Sequence, residues 1–290
     1  MKQLLQRRQL LLAGAALGGL ALLSPRKVIA LASTFDDRMA SLESQVNARI
    51  GLMLMNNGGH VIHSWRADER FMLCSTFKLL LVAAVLQRSQ STPSLLNQQL
   101  HWTAADHLSY MPVTEKHPEG MTVSDLCAAA LCYSDNLAAN QLLALLGGPA
   151  ALTAFIRSLG DTVTRLDRIE PQLNTLTQNP MLDSTTPRAM ADTVRKLVLG
   201  NALQVPQQRM LIGWLRGNTT GDNAIRAAVP DDWLVGDKTG SGEYGTTNDV
   251  AVLWPSTGCS PLVMAIYMTS HDPDAKSRQE VLATAAGIAL

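Results

Sequence analysis

Ser75-Thr76-Phe77-Lys78 stands at the head of the apolar run Leu79 to Leu86, which holds neither glycine nor proline and is long enough for a buried helix. In a first helical turn a serine and a lysine three residues apart share a face. The serine would sit where backbone N–H groups lack intrahelical partners and the dipole favours negative charge, a setting for an alkoxide nucleophile and an oxyanion hole. Lys78, if desolvated or placed beside a second cation, could shed its proton and act as the base. The same four residues also fit a capped core helix with a solvent-facing lysine, and their spacing alone leaves both open.

Two further tripeptides could supply chemistry. Ser134-Asp135-Asn136 falls in a break between two helical runs and offers a hydroxyl and an amide, able to relay a proton and to hold a substrate amide. Lys238-Thr239-Gly240 ends an expected strand, with Ser241-Gly242 directly after it. A lysine there can meet a carboxylate as a point charge, and small residues let a ligand come close to the strand edge. Between them runs Arg165-Leu166-Asp167-Arg168-Ile169-Glu170-Pro171-Gln172-Leu173-Asn174, too polar and too interrupted by Pro171 and Pro180 for a simple helix. Taken singly, these stretches also fit a capping loop, a turn and a solvated loop.

The elements that must position these residues follow from periodicity. Arg49–Asn56 and His60–Trp65 read as a hairpin about Asn57-Gly58-Gly59. Helix-period apolar residues fill Val123–Cys132 and Leu137–Leu146, and Gly147-Gly148-Pro149 closes one helix and opens another through Leu159. Thr186-Pro187 is an N-cap followed by proline at the first helical position, opening a helix to Leu199 before Gly200. Another helix is expected over Gln207–Leu215, then strands over Trp233–Lys238, Asp249–Trp254 and Leu262–Thr269, and a last helix from about Pro273 to Ala289. A strand hairpin should therefore open the mature chain, with helices in the middle and strands at the end. The first and last parts would share one antiparallel sheet of five strands, with the helical block inserted.

Composition sets the frame. The 290 residues are 47% hydrophobic and only 17% charged, with a formal net charge of zero, so nothing electrostatic argues for nucleic acid or an anionic membrane. Lys2, Arg7 and Arg8 precede the apolar stretch Leu10–Leu23, and Ala30-Leu31-Ala32 offers a small-residue cleavage site. Residues 1–32 thus read as an export signal cleaved near Ala32, leaving no membrane anchor. Adjacent arginines point to the twin-arginine route, with an ordinary secretory signal as the alternative. The mature chain would work in the periplasm. Four cysteines in an exported chain raise the question of disulfides. Cys127 and Cys132 are offset on one helix and Cys74 and Cys259 have no obvious mates, so free thiols are expected. The six histidines are scattered and no His/Cys/Asp set has ligand spacing, so neither metal nor cofactor is expected.

In the order S-x-x-K, S-D-N, K-T-G, these motifs resemble the signature set of class A β-lactamases and penicillin-binding proteins. The R-x-D-R-x-E-P-x-L-N stretch resembles the Ω-loop of the class A enzymes. Lys238-Thr239-Gly240-Ser241-Gly242 and Gly245-Thr246-Thr247-Asn248-Asp249 resemble the cefotaxime-hydrolysing branch. The resemblance spans nearly the whole mature chain, including Tyr110 to Lys116. It implies an α+β fold: an α/β/α sandwich on a five-stranded antiparallel sheet, plus an all-helical domain. The sheet domain would be residues 33–70 with 217–290, the helical domain 71–216, and the site would lie between them.

The same resemblance implies an acyl-serine hydrolase that opens the β-lactam amide of penicillins and cephalosporins, oxyimino-cephalosporins among them, and so confers antibiotic resistance. Ser75 would attack, and the N–H groups of Ser75 and Ser241 would hold the oxyanion. Lys238 would lower the pKa of Lys78 by like-charge repulsion. Either Lys78 or Glu170 would take the serine proton, and Ser134 would pass one to the departing ring nitrogen. Asn136 would hold the substrate amide. Lys238, Thr239, Gly240 and Ser241 would line the carboxylate subsite, and Tyr110 would stack at the mouth or simply be a surface aromatic. Glu170 with Asn174 would hold the deacylating water. Arg168 and Asp183 would pair across the loop neck, and Glu170-Pro171 would be cis. Partners would be β-lactam substrates and inhibitors, and the chain a monomer.

Two departures from the family pattern bear on specificity. Thr247 stands where many class A enzymes carry an arginine, and Arg278 is the candidate replacement. Cys74 matches a cysteine that carbapenem-hydrolysing members bridge to a partner after K-T-G, but here the partner position is Gly242. A penicillin-binding peptidase should lack the glutamate loop. A β-lactam sensor would need a membrane segment and a cytoplasmic partner domain.

Overall fold

The computed structural model describes residues 33–256 and 258–290; the export signal expected over residues 1–32 lies outside them. Alternation builds the main sheet. In β1 (Ala48–Asn56), Ile50, Leu52 and Leu54 face one apolar cluster while Met53 and Met55 face another. Period-2 side-chain direction puts those two sets on opposite faces, and both are covered. That is why the strand reads as a continuous apolar run rather than an alternating one.

β1 pairs with β2 (Val61–Trp65) on one side and β5 (Leu262–Ser270) on the other. β5 continues to β4 (Thr247–Trp254) and β4 to β3 (Leu234–Ser241), giving the order β2-β1-β5-β4-β3, antiparallel throughout. The first and last parts of the chain do share one five-stranded sheet.

One face of the sheet is covered by α1 (Phe35–Val46) and α8 (Gln279–Ala289), through Met39, Leu42, Leu282 and Ala286. Helix α1 was not expected; the helix cap that starts it is legible in hindsight, since Thr34 and Asp37 form a reciprocal capping box. The other face carries the helical block. Here α2 (Phe77–Ser89) is buried on nearly every side and is ringed by α3 (Val123–Cys132), α4 (Asn136–Leu146), α5 (Pro149–Ser158) and α7 (Val205–Arg216). Helix α6 (Pro187–Val198) lies against the sheet, capped by Thr186 as its sequence implied. Its Pro187 and the Phe71 ring press so close to β1 that a Cβ at Gly51 would lie 2.5 Å from that ring.

Two boundaries differ from expectation in ways that matter. β3 runs three residues past Lys238, so Thr239, Gly240 and Ser241 are part of a ladder with β4 rather than a turn after it. Helix α8 starts at Gln279, not near Pro273, because Ser277 and Arg278 are held in extended contact with β4, where Arg278 N donates to Thr247 Oγ1 at 3.0 Å.

Candidate active site

Ser75 lies in a single 3-10 turn, Cys74–Thr76, that runs into α2. The turn is anchored from two sides. Thr76 Oγ1 donates to Leu73 O at 2.6 Å, and Asn248 Nδ2 on β4 reaches Met72 O and Leu73 O at 2.9 and 3.2 Å. Cys74 is held at φ +44°, a conformation L-residues adopt only under surrounding constraint. Against this turn lies Gly240 of β3: a Cβ there would sit 3.0 Å from Ser75 N and 3.1 Å from Leu73 O. Only glycine lets the strand approach the N–H of Ser75 so closely.

Lys78 points from the first turn of α2 back at Ser75, as the spacing of three predicts. Its Nζ is 3.0 Å from Ser75 Oγ, 2.7 Å from Asn136 Oδ1, 2.8 Å from Ser134 O and 3.0 Å from Glu170 Oε1. Both Lys78 and Glu170 are buried. Ser134 sits at φ +59°, between the two lysines, with Lys238 Nζ donating to its Oγ at 3.1 Å. The aspartate between Ser134 and Asn136 holds the break together. Asp135 accepts from Val113 N, Thr114 N, Thr114 Oγ1 and Ala138 N, so it caps α4 and ties it to the 110–114 segment.

Glu170 is placed by its neighbours on the loop and on α4. Asn140 clamps its backbone at both ends, Nδ2 to Glu170 O at 2.9 Å and Glu170 N to Oδ1 at 3.0 Å. Asn174 Nδ2 donates to Oε2 at 2.5 Å, leaving Oε1 to face Ser75 Oγ at 3.3 Å. At the loop neck Arg168 Nε meets Asp183 Oδ2 at 2.5 Å, and the other Asp183 oxygen accepts the N–H groups of Asp167 and Arg168. The Glu170-Pro171 peptide is cis.

Electrostatics distinguish the two lysines. Burial pushes Lys78 below its usual range, opposed chiefly by the Glu170 carboxylate against it. Burial also lowers Lys238, with repulsion from Lys78 added, and brings it to about 7 against the pull of Asp237, Asp249 and Glu170. Desolvation is thus the largest cause at both lysines, and the like-charge repulsion between them, which is mutual, adds to it. Burial likewise raises the Cys74 thiol, which makes that buried sulfur inert rather than nucleophilic.

These groups open on a cleft of about 390 Å³ whose walls include Ser75, Tyr110, Ser134, Asn136, Asn174, Thr239, Gly240 and Ser241. The expected pocket residues other than Arg278 are thus either in this wall or, for Lys78, Glu170 and Lys238, hydrogen-bonded directly behind it. Thr220 and Gln279 also line the cleft and were missed, as were Asn140 and Asn248 behind it. Asn140 was within reach of sequence reasoning, since it falls one helical turn after Asn136 and so on the same face; the others come from distant segments with no local signal.

Arg278 departs from expectation. Its Nη2 donates to Val46 O at 2.7 Å, at the end of α1, and the cleft wall is taken instead by the next residue, Gln279. The helix start explains this, since consecutive residues diverge by about 100° around the axis. Thr247 keeps a hydroxyl chain with Ser277 (3.1 Å) and Ser241 (Ser241 Oγ to Ser277 Oγ, 3.3 Å) where an arginine would bring charge. Gly242 meets the remaining departure: a Cβ there would be 2.8 Å from Cys74 Sγ, so the two positions do face each other, but only one carries sulfur.

The family model described as "Beta-lactamase enzyme family" matches residues 34–290. The chain is 48% identical to β-lactamase OXY-1 of Klebsiella oxytoca over 283 residues, 97% of this chain and 96% of that one. It shares the same identity and coverage with β-lactamase CTX-M-25 of Escherichia coli. Among solved structures, a β-lactamase from Desulfarculus baarsii DSM 2075 superposes with a TM-score of 0.85 at 48% identity, covering 88% of this chain and 95% of that one. Agreement over the length of the chain, in sequence and in backbone alike, makes this protein a member of the β-lactamase enzyme family, a class A serine β-lactamase.

Proposed function

We propose that Ser75 opens the lactam ring and that Glu170 clears the resulting ester. The observation that carries this is the contact of Ser75 Oγ, at the cleft wall, with both Lys78 Nζ and Glu170 Oε1. Ser75 Oγ donates to Glu170 Oε1 and accepts from Lys78 Nζ, and the amide of Asn174 fixes which carboxylate oxygen faces it. The N–H groups of Ser75 and Ser241 stabilise the oxyanion, a contribution of about 10²–10³-fold per donor. Ser134, with Lys78 and Lys238 both donating toward its hydroxyl, hands a proton to the leaving nitrogen. Asn136 takes the side-chain amide of the substrate and Tyr110 covers the mouth. Lys238, Thr239 and Ser241 receive its carboxylate, with Gly240 keeping the strand edge clear.

A positioned general base is worth about 10²–10⁴-fold. Here it converts a trapped acyl-enzyme into turnover, which separates this reading from a peptidase or a sensor. Ser241 and the hydroxyls of Thr247 and Ser277 support activity on oxyimino-cephalosporins. Lys2, Arg7, Arg8 and the apolar run after them support export to the periplasm, where the chain acts as a monomer built from a sheet portion (33–70, 217–290) and a helical portion (71–216).

Intact mass during incubation with excess cefotaxime, read with loss of β-lactam absorbance, tests this. Many equivalents consumed with little adduct remaining is the expected result; a persistent one-to-one adduct without turnover overturns it.

A further inference from the structure

Three residues that face one another across the sheet make a floor under the Ser75 turn. Gly240 on β3 is paired in register with Asn248 on β4, and Asn248 with Tyr267 on β5. Cross-strand partners share one face of a sheet, and each of these three meets the turn. Gly240 leaves room for Ser75 N, 3.0 Å from where a Cβ would stand. Asn248 Nδ2 donates to Met72 O at 2.9 Å and to Leu73 O at 3.2 Å. The Tyr267 hydroxyl lies 3.1 Å from Thr76 Oγ1. Asn248 and Tyr267 are fully buried.

Asn248 thus spends both hydrogens of its amide on two consecutive carbonyls of the chain entering the turn. Leu73 is also held at its other end, its N–H donating to Asp183 O at 2.8 Å, and Thr76 Oγ1 adds a bond to Leu73 O at 2.6 Å. The peptide plane between Leu73 and Cys74 is therefore set largely from outside the turn. Cys74 follows at φ +44°, and the next N–H along the chain is that of Ser75. The other end of the Asn248 amide gains nothing: its Oδ1 is buried without a partner among the described residues. Such a group costs stability. A buried amide paired at one end calls for a reason, and the two carbonyls it holds supply one.

We propose that Asn248 is a positioning residue for the oxyanion hole, holding the Leu73–Cys74 peptide so that Cys74 keeps its left-handed φ and the Ser75 N–H stays turned to the cleft. The proposal rests on the reading of Ser75 as the nucleophile and of its N–H as an oxyanion donor. Without Asn248 the turn relaxes at Cys74, and the peptide that carries the Ser75 N–H swings with it. A misplacement of about 1 Å at a reacting centre costs on the order of 10²-fold.

The acyl-enzyme ester reports on the hole directly, because hydrogen bonds to its carbonyl oxygen lower the carbonyl stretching frequency. Asn248→Ala and the same-shaped Asn248→Asp, each added to Glu170→Ala so that the ester accumulates, are acylated with a penicillin and read by isotope-edited infrared difference spectroscopy. In both, the ester band should move to higher wavenumber than in Glu170→Ala alone. The acylation rate constant in single-turnover kinetics should fall about 10–10²-fold, with the affinity of the preceding noncovalent complex unchanged. Lost stability alone would reduce the folded fraction and leave the band in place. Asn248→Ala carries the expectation by itself should the buried aspartate prevent folding. An unmoved band overturns the proposal, whether or not acylation slows, and so does a loss confined to the noncovalent complex. If Glu170→Ala alone accumulates no ester on Ser75, the reading of the site fails first and the proposal falls with it; if the ester forms and its band ignores Asn248, the proposal alone fails.

Discussion

The two walls of the cleft each carry a buried lysine, and they treat its charge in opposite ways. On the Glu170 wall Lys78 is matched by a carboxylate 3.0 Å away, both groups removed from solvent and both touching Ser75. On the Lys238 wall the Nζ meets, among the described residues, only the neutral oxygens Ser134 Oγ and Thr239 O. The acids nearest in sequence and register, Asp237 and Asp249, lie on the other face of the sheet, because consecutive strand residues alternate. There they are engaged by Arg226, Asn218 and Ile225 N. A balanced wall can pass protons without changing its net charge. An unbalanced wall is left with charge to offer an incoming anion. A buried unpaired cation is costly, and the lowered pKa of Lys238 is how that cost is expressed.

Removing the proposed nucleophile should have the largest effect. Ser75→Ala, which disables the balanced wall, should form no covalent adduct and lose on the order of 10⁵-fold or more in kcat; an adduct by intact mass would reassign the nucleophile. Glu170→Ala breaks the same wall at its base. It should still acylate but accumulate the ester, with deacylation slowed about 10²–10⁴-fold in single-turnover kinetics. Rapid multiple turnover by that variant would mean the wall does not need its carboxylate.

Asp183→Ala attacks the support of that wall rather than its chemistry. It strands Arg168 and two backbone N–H groups and should lower stability by about 3 kcal/mol in denaturant titration.

The unbalanced wall is sharpened by pH. Lys238 titrates at about 7, so its charge is present below that value and is lost as pH rises through it. KM for a carboxylate-bearing penicillin should therefore climb by up to about tenfold per pH unit above 7, while its methyl ester stays flat. Linkage gives the matching sign for stability. Between 7 and the ordinary lysine value of 10.5 the unfolded chain holds a proton the folded chain does not, so this group's contribution to stability increases with pH.

The smallest effect belongs to Arg278. Because its guanidinium is spent on Val46 O, Arg278→Ala should change KM less than twofold; a large rise would place it back at the carboxylate wall.

The balanced wall was legible in the chain and the other only in part, and the reason is distance along it. Ser75 and Lys78 are three residues apart, Ser134 and Asn136 two, Glu170 and Asn174 four. The spacing of three puts Ser75 and Lys78 on one face of a helical turn, whereas Ser134 with Asn136 and Glu170 with Asn174 lie at a break and on a loop, where closeness along the chain keeps each pair together. The strands and helices of the sheet and helical block were likewise set by local periodicity. Thr220, Gln279 and Asn218 reach the other wall from segments whose separation carries no such rule, and α1 announces itself only by its capping box.

By itself the sequence marked the strands of the sheet through hydrophobic period, and through its resemblance to a known family it singled out Ser75, Lys78 and the Glu170 loop. Tertiary structure decided where β3 ends, which residue at the start of α8 faces the cleft and which lysine keeps an unpaired charge. Those outcomes depend on ladder pairing and on which face of the sheet each carboxylate occupies, and both are settled only when distant segments pack together.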